Sequence, residues 1–172
     1  MTSLPMELVI RAKKGEKEAF NSLYALVYEK LYKLAYYVLQ NEQDAMDVLG
    51  DAMLNVYESI GQLRKEEACY GWMCKILINE CNKKIRHYKR REVPLELVEE
   101  LPDRIADVEG AADVKEALRK LSYEERLIVI MSAVEGYKGD EIARMLHLKH
   151  STVRSKYRRS INKLQHLMEG EA

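Results

Sequence analysis

Between residues 42 and 60 the apolar side chains Ala45, Val48, Leu49, Ala52, Met53, Val56 and Ile60 stand at intervals of three, one, three, one, three and four. A helix of 3.6 residues per turn gathers such positions onto one face, and a strand does not. The same spacing runs through residues 16–40, where Ala19, Phe20, Leu23, Leu26, Val27, Leu34, Val38 and Leu39 recur. Only eight Gly and three Pro occur in 172 residues, which leaves little material for the turns of a sandwich or barrel, or for a Gly-rich nucleotide loop. Leu, Ala, Glu, Lys, Arg and Met, all strong helix formers, dominate instead. The expected fold class is all-α. With 47% apolar residues the chain can bury a core, which excludes disorder throughout.

Net charge is zero, 28 basic against 28 acidic residues, but it is unevenly spread. Residues 1–92 hold 15 basic and 13 acidic side chains, residues 93–117 hold 2 and 8, and residues 118–172 hold 11 and 7. The acidic middle also carries Pro94 and Pro102. This divides the chain into a helical module over 1–92, an acidic linker over 93–112, and a second helical module over 113–172. A structured acidic helix is the alternative for the middle segment. No run of about 18 apolar residues exists, so no membrane insertion is expected. Residues 1–15 lack an apolar core of the secretory kind. Cys69, Cys74 and Cys81 lie on one predicted helix and form no disulfide framework, which points to a reducing cytoplasm.

Opposite the apolar face of 42–60, Asp44, Asp47, Asp51, Asn55 and Glu58 step by three, four, four and three into a second stripe. Like charges at this spacing repel, so the row gains from a basic partner. A plain solvated face is the competing reading, and the sequence weighs the two evenly. Residues 68–91 begin as a packing helix around Trp72, Met73, Ile76 and Leu77. They then place Lys83, Lys84, Arg86, Lys89, Arg90 and Arg91 within nine positions, without an acid. Asn79, Asn82, His87 and Tyr88 interleave with them. Cations mixed with amides suit phosphate contact and base-edge hydrogen bonding. One or two cations would satisfy the helix dipole, and six exceed that need. Tyr24, Tyr28, Tyr32 and Tyr36 fall four apart and read as rings flanking a core with wet hydroxyls, rather than as a base-stacking platform. The cysteine spacings of five and seven do not match a zinc site, so the thiols read as small buried hydrophobes and no metal or cofactor is expected.

In the second module, helices are expected over 113–121 and 123–135, with Ser122 and Glu125 spaced as a capping box. Residues 139–154 then read GDEIARMLHLKHSTVR, a helix-turn-helix pattern. Ile142, Ala143 and Leu146 face inward, Leu148 buries the turn, and Ser151 or Thr152 caps the next helix. Val153, Tyr157, Ile161 and Leu164 form its buried stripe, and Arg154, Ser155, Arg158, Arg159 and Asn162 its outer face. Residues 142–168 contain seven Lys or Arg and no acid. A recognition helix sets its first side chains on base edges, which implicates Lys149, His150, Ser151, Thr152, Arg154 and Ser155. Arg158 and Arg159 would follow onto phosphates.

These residues together resemble the extracytoplasmic-function group of bacterial RNA polymerase sigma factors, over nearly the whole length. Residues 15–20 and 31–35 are similar to the family's opening helix, Asp44-Ala45-Met46-Asp47-Val48-Leu49 to its clamp-binding segment, and Trp72-Met73 through Asn79 to its WLYRIARN stretch. His147 stands where the family's turn usually has Gly. The resemblance implies a factor that binds core RNA polymerase through Asp44, Asp47, Val48 and Asp51. It implies engagement of the promoter minus-ten element through Asn79, Lys83, Lys84, Arg86, His87 and Arg90. It further implies a flipped base trapped near residues 61–71, a linker threading the polymerase, and minus-thirty-five recognition by the second module. Promoter DNA and an anti-sigma factor are the other implied partners. The competing reading is a polymerase-independent helix-turn-helix regulator, which would bind operator half-sites as a dimer. An enzyme is not expected, because no nucleophile–base pair or metal spacing is present.

Overall fold

The computed structural model describes residues 3–90 and 111–169, and every regular element among them is helical. The chain divides into two compact units, residues 1–99 and 100–172. The linker expected over 93–112 lies outside the described residues except for its last two, which open a helix, and Arg91 of the basic run lies outside them too.

The first unit contains α1 (Met6–Lys13), α2 (Lys17–Leu39), α3 (Glu42–Ser59) and α4 (Cys69–Arg90). Short 3₁₀ turns at Ile60–Gln62 and Glu66–Ala68 join α3 to α4. The helix expected over 42–60 therefore tightens into a 3₁₀ turn at its last residue. α1, which the periodicity does not predict, packs Val9 and Ala12 onto α2. α3 lies between α2 and α4, and its apolar stripe Ala45, Val48, Leu49, Ala52 and Val56 is buried against them. Leu23, Leu31, Met73, Leu77 and Ile78 complete the core. The α2–α3 corner takes two residues. Gln40 adopts φ 58° and closes α2 through its N–H on the Tyr36 carbonyl. Asn41 then caps α3, its side chain accepting from the Asp44 N–H at 2.7 Å.

The second unit contains α5 (Ala111–Arg119), α6 (Tyr123–Ala133), α7 (Gly139–Leu146) and α8 (His150–Glu169). α8 packs on α5, α6 and α7. Leu127, Ile128, Ile130, Met131, Ile142 and Val153 are buried there. The Ser122–Glu125 capping box forms as expected. α6 stops two residues short of the expected 135, because Gly136 turns left-handed at φ 73° and lets the Tyr137 N–H bond the Met131 carbonyl at 2.9 Å. Arg126 is buried and donates to the Leu118 and Leu121 carbonyls at the end of α5. That burial lowers its guanidinium pKa to about 10.

Candidate functional site

On α3 the expected acidic stripe is split by its own neighbours. Asp44 is buried at 7% exposure and accepts from the Tyr88 hydroxyl of α4 at 2.6 Å. Lys84 bridges it to Asp47, with Nζ 3.0 Å from Asp44 Oδ1 and 3.3 Å from Asp47 Oδ2. Burial opposes the charge of Lys84, but the hydrogen bond and field of Asp44, with the hydrogen bond of Asp47, outweigh it and raise its pKa. The Tyr88 pKa is raised too, which keeps the phenol neutral, by burial first and then by its bond to Asp44. Farther along, Asn55 donates to Glu80 of α4 at 2.9 Å, and Lys83 pairs with the same carboxylate at 2.6 Å. Part of the acidic row thus ties α3 to α4. Val48, placed on the polymerase face by the family motif, is 2% exposed and belongs to the core.

What α3 presents outward is Asp47, half exposed, together with Asp51 and Glu58. Beside them stand Met46, Leu54 and Tyr57, apolar side chains 50%, 64% and 45% exposed. These are large apolar side chains that the fold of this unit leaves uncovered. The sequence signal for them was present, since all three lie off the buried stripe. Gly50 sits among them inside the helix, and nothing lies within 4 Å of where its Cβ would be. A mid-helix Gly costs about 1 kcal/mol relative to Ala, and nothing in the fold explains it.

On α4, Asn79, Lys83, Arg86, His87 and Arg90 are all exposed, at intervals of four, three, one and three, so they share one outward face. Lys84 alone of the expected minus-ten set turns away, onto α3. The segment 61–71 is tethered by buried Leu63 and by an ion pair between Lys13 of α1 and Glu66, while Arg64 and Lys65 stay exposed. Cys69, Cys74 and Cys81 are free thiols buried in the core, and burial pushes Cys69 up to about 11 and Cys81 to about 12. Thiols so poised are not nucleophiles at neutral pH. The tyrosine row forms a ladder with ring centroids 5.5, 6.2 and 6.2 Å apart. Tyr36 is buried as expected, but Tyr28 is 41% exposed.

In the second unit α7 and α8 meet across a three-residue turn. His147 closes α7 in the left-handed region at φ 56°, ψ 39°. A Cβ on Gly139 would lie 3.0 Å from His150 Nε2, so this glycine permits the close approach of the two helix starts. α8 begins one residue earlier than the expected cap. Ser151 and Thr152 lie inside its first turn, and the Lys149 carbonyl accepts from the Val153 N–H at 3.1 Å. Ile142, Ala143 and Val153 are buried, whereas Leu146, Leu148, Tyr157, Ile161 and Leu164 are only partly covered.

The basic residues of α8 divide by role. Lys156 pairs with Glu124 of α6 at 3.4 Å, and Lys163 donates to the Lys120 carbonyl at 2.5 Å. Arg154, Arg158 and Arg159 are exposed and make no ion pair among the described residues. With His150, Ser151, Ser155 and Asn162 they line one open concavity of ≈ 670 Å³. Lys149, just before α8, is exposed, and Thr152 is half-buried; neither lines that concavity. The surface offers guanidinium forks, hydroxyls and an amide on one helical face, the donor set that base edges and phosphates require.

Residues 23–91 match the Sigma-70 region 2 family and residues 111–164 the Sigma-70, region 4 family. The chain is 34% identical over 163 residues to the ECF RNA polymerase sigma factor SigM of Mycobacterium tuberculosis, covering 94% of this chain and 83% of that one. It is 28% identical over 134 residues to the RNA polymerase sigma factor SigV of Bacillus subtilis, covering 77% and 81%. Its fold is similar to that of the sigma factor RpoE from Bartonella quintana, solved with the anti-sigma factor NepR. The TM-score is 0.73 at 23% identity, over 87% of this chain and 96% of that one. With both region families in order and a relative matched along most of its length, the chain belongs to the extracytoplasmic-function RNA polymerase sigma factors, which direct transcription initiation.

Proposed function

We propose that the two units divide promoter recognition between them, residues 1–92 as region 2 and residues 113–172 as region 4, joined by residues 93–112. In this reading the outward row of α3, Asp47 and Asp51 with Met46, Leu54 and Tyr57, docks on core RNA polymerase. The α4 face of Asn79, Lys83, Arg86, His87 and Arg90 meets the minus-ten element, and the segment 61–71 holds a flipped base. α8 lies in the major groove of the minus-thirty-five element. Arg154, Ser151 and Ser155 meet base edges there, and Arg158 and Arg159 meet phosphates. The chain works in the cytoplasm as a binding factor with no chemistry of its own. An anti-sigma factor is a further partner, a reading supported by the complex with an anti-sigma factor in which the similar Bartonella quintana fold was solved.

The observation that carries this reading is the unpaired basic face of α8, where three arginines alternate with hydroxyls in one concavity. A bidentate arginine contact is worth about 1–3 kcal/mol of discrimination against the wrong base. Arg154→Ala should therefore flatten preference at one position of the minus-thirty-five element. Equal weakening on every sequence would make Arg154 a phosphate contact instead. Asp51→Lys, at an exposed site on α3, should cut polymerase affinity at least about tenfold with an unchanged melting point. Undiminished binding would remove α3 from the polymerase interface.

A further inference from the structure

The outward row of α3 and the DNA-facing row of α4 meet at one side chain. Lys84 has a side chain only 25% exposed, while its helix neighbours Lys83 and Arg86 are exposed. Its two carboxylate partners differ in kind. Asp44 is buried, hydrogen-bonded to Tyr88, and fixed in the α3–α4 seam. Asp47 has a side chain 48% exposed and lies on the surface that the preceding reading gives to the polymerase.

We propose that Asp47 and Lys84 form a latch that couples polymerase docking to DNA binding. In the free chain Asp44 anchors the Lys84 ammonium to α3 and Asp47 occupies its outer side. A cationic side chain of the polymerase that takes Asp47 releases the ammonium on that side. Lys84 keeps Asp44 and turns its freed N–H donors to a phosphate of the minus-ten strand. An ammonium has three donors, so it can hold Asp44 and a phosphate together. The exchange needs no buried pair to break. An ion pair at a half-exposed carboxylate contributes only a few-fold to an equilibrium, which makes this link the exchangeable one. By linkage the effect is reciprocal, and DNA on Lys84 frees Asp47 for the polymerase.

The inference rests on the reading of α3 as polymerase surface and α4 as DNA surface, and the test separates the two. Affinity for a single-stranded minus-ten oligonucleotide would be measured at several salt concentrations, for the free chain and for the chain bound to core polymerase. Lys84→Gln should leave the free chain within about twofold, and lower the affinity of the polymerase-bound chain about fivefold. It should also reduce the salt slope of the bound form by about 0.7, one phosphate contact on a single strand. Asp47→Asn should raise the free chain's affinity several-fold, or bring it into measurable range, and exceed Asp51→Asn, which removes the same charge one turn away. Equal losses for Lys84→Gln in both states, or equal effects of Asp47→Asn and Asp51→Asn, would overturn the latch. Arg86→Ala reports on the underlying reading. If it weakens the bound form while Lys84→Gln acts equally in both states, the latch alone falls. If it is silent, α4 is not the DNA face and the latch falls with it. Should Lys84→Gln lower the melting point sharply, the Asp47 and Asp51 comparison decides.

Discussion

His147 shows how closely one residue can follow from a turn. It is one of two non-Gly residues with positive φ among the described residues, the other being Gln40. The left-handed region costs a side chain about 1–2 kcal/mol. His147→Gly should therefore stabilise the second unit by about 1 kcal/mol in thermal melts, and a destabilised variant would show that the imidazole makes a contact worth more than the strain. The turn was legible because the pattern Gly139 through Arg154 fixes where α7 must stop. The pairing of Asp44 and Asp47 with Lys84 was not. Helical spacing tells which residues share a stripe, but Lys84 lies about 40 positions away, and only packing brings it there. The same limit explains Val48. The family motif marks it beside Asp47, yet one residue on a helix turns a side chain by about 100°, from the surface into the core.

Helix ends carry the element scale. At α6, the Ser122 backbone N–H and hydroxyl both donate to Glu125 Oε2, at 3.0 and 2.9 Å, and the Glu125 N–H donates back to the Ser122 hydroxyl. The Ser122 backbone bond, more than the hydroxyl, holds the Glu125 carboxyl below its ordinary pKa, against the opposing effect of burial. A lowered folded-state value means the stabilisation is complete above the unfolded carboxylate pKa and is lost as pH falls through the lowered one. Ser122→Ala should cost about 1 kcal/mol at neutral pH. That gap should narrow as acid protonates Glu125, because the hydroxyl then loses its bond to the carboxylate, and a gap independent of pH would show that the hydroxyl–carboxylate bond contributes nothing, the backbone bond being present in both proteins. This cap was readable from two residues. α1 leaves no such signal, because only Val9 and Ala12 of its eight residues are buried and the period has no room to repeat. Its stop signal was present in Gly15, which turns at φ 87°. The outer face of α8 was read residue for residue, since a long acid-free helix leaves its periodicity intact, whereas the α3 row lost Asp44 to tertiary pairing.

At the scale of the whole chain, two units with different basic faces suit one asymmetric site better than a palindrome. A dimeric operator-binding regulator would need one such face, used twice. The first unit instead carries an acidic and apolar row on α3 in addition to its basic α4, two surfaces of opposite character on adjacent helices. That arrangement fits a protein placed between a basic protein partner and a nucleic acid. The most direct measurement mixes the purified chain with bacterial core RNA polymerase on a library of promoter sequences and records which templates initiate. Initiation should depend on the chain and on two spaced sequence elements, the upstream one altered by Arg154→Ala. Tight binding of the chain alone to a palindromic duplex, with no polymerase-dependent initiation on any template, would contradict it.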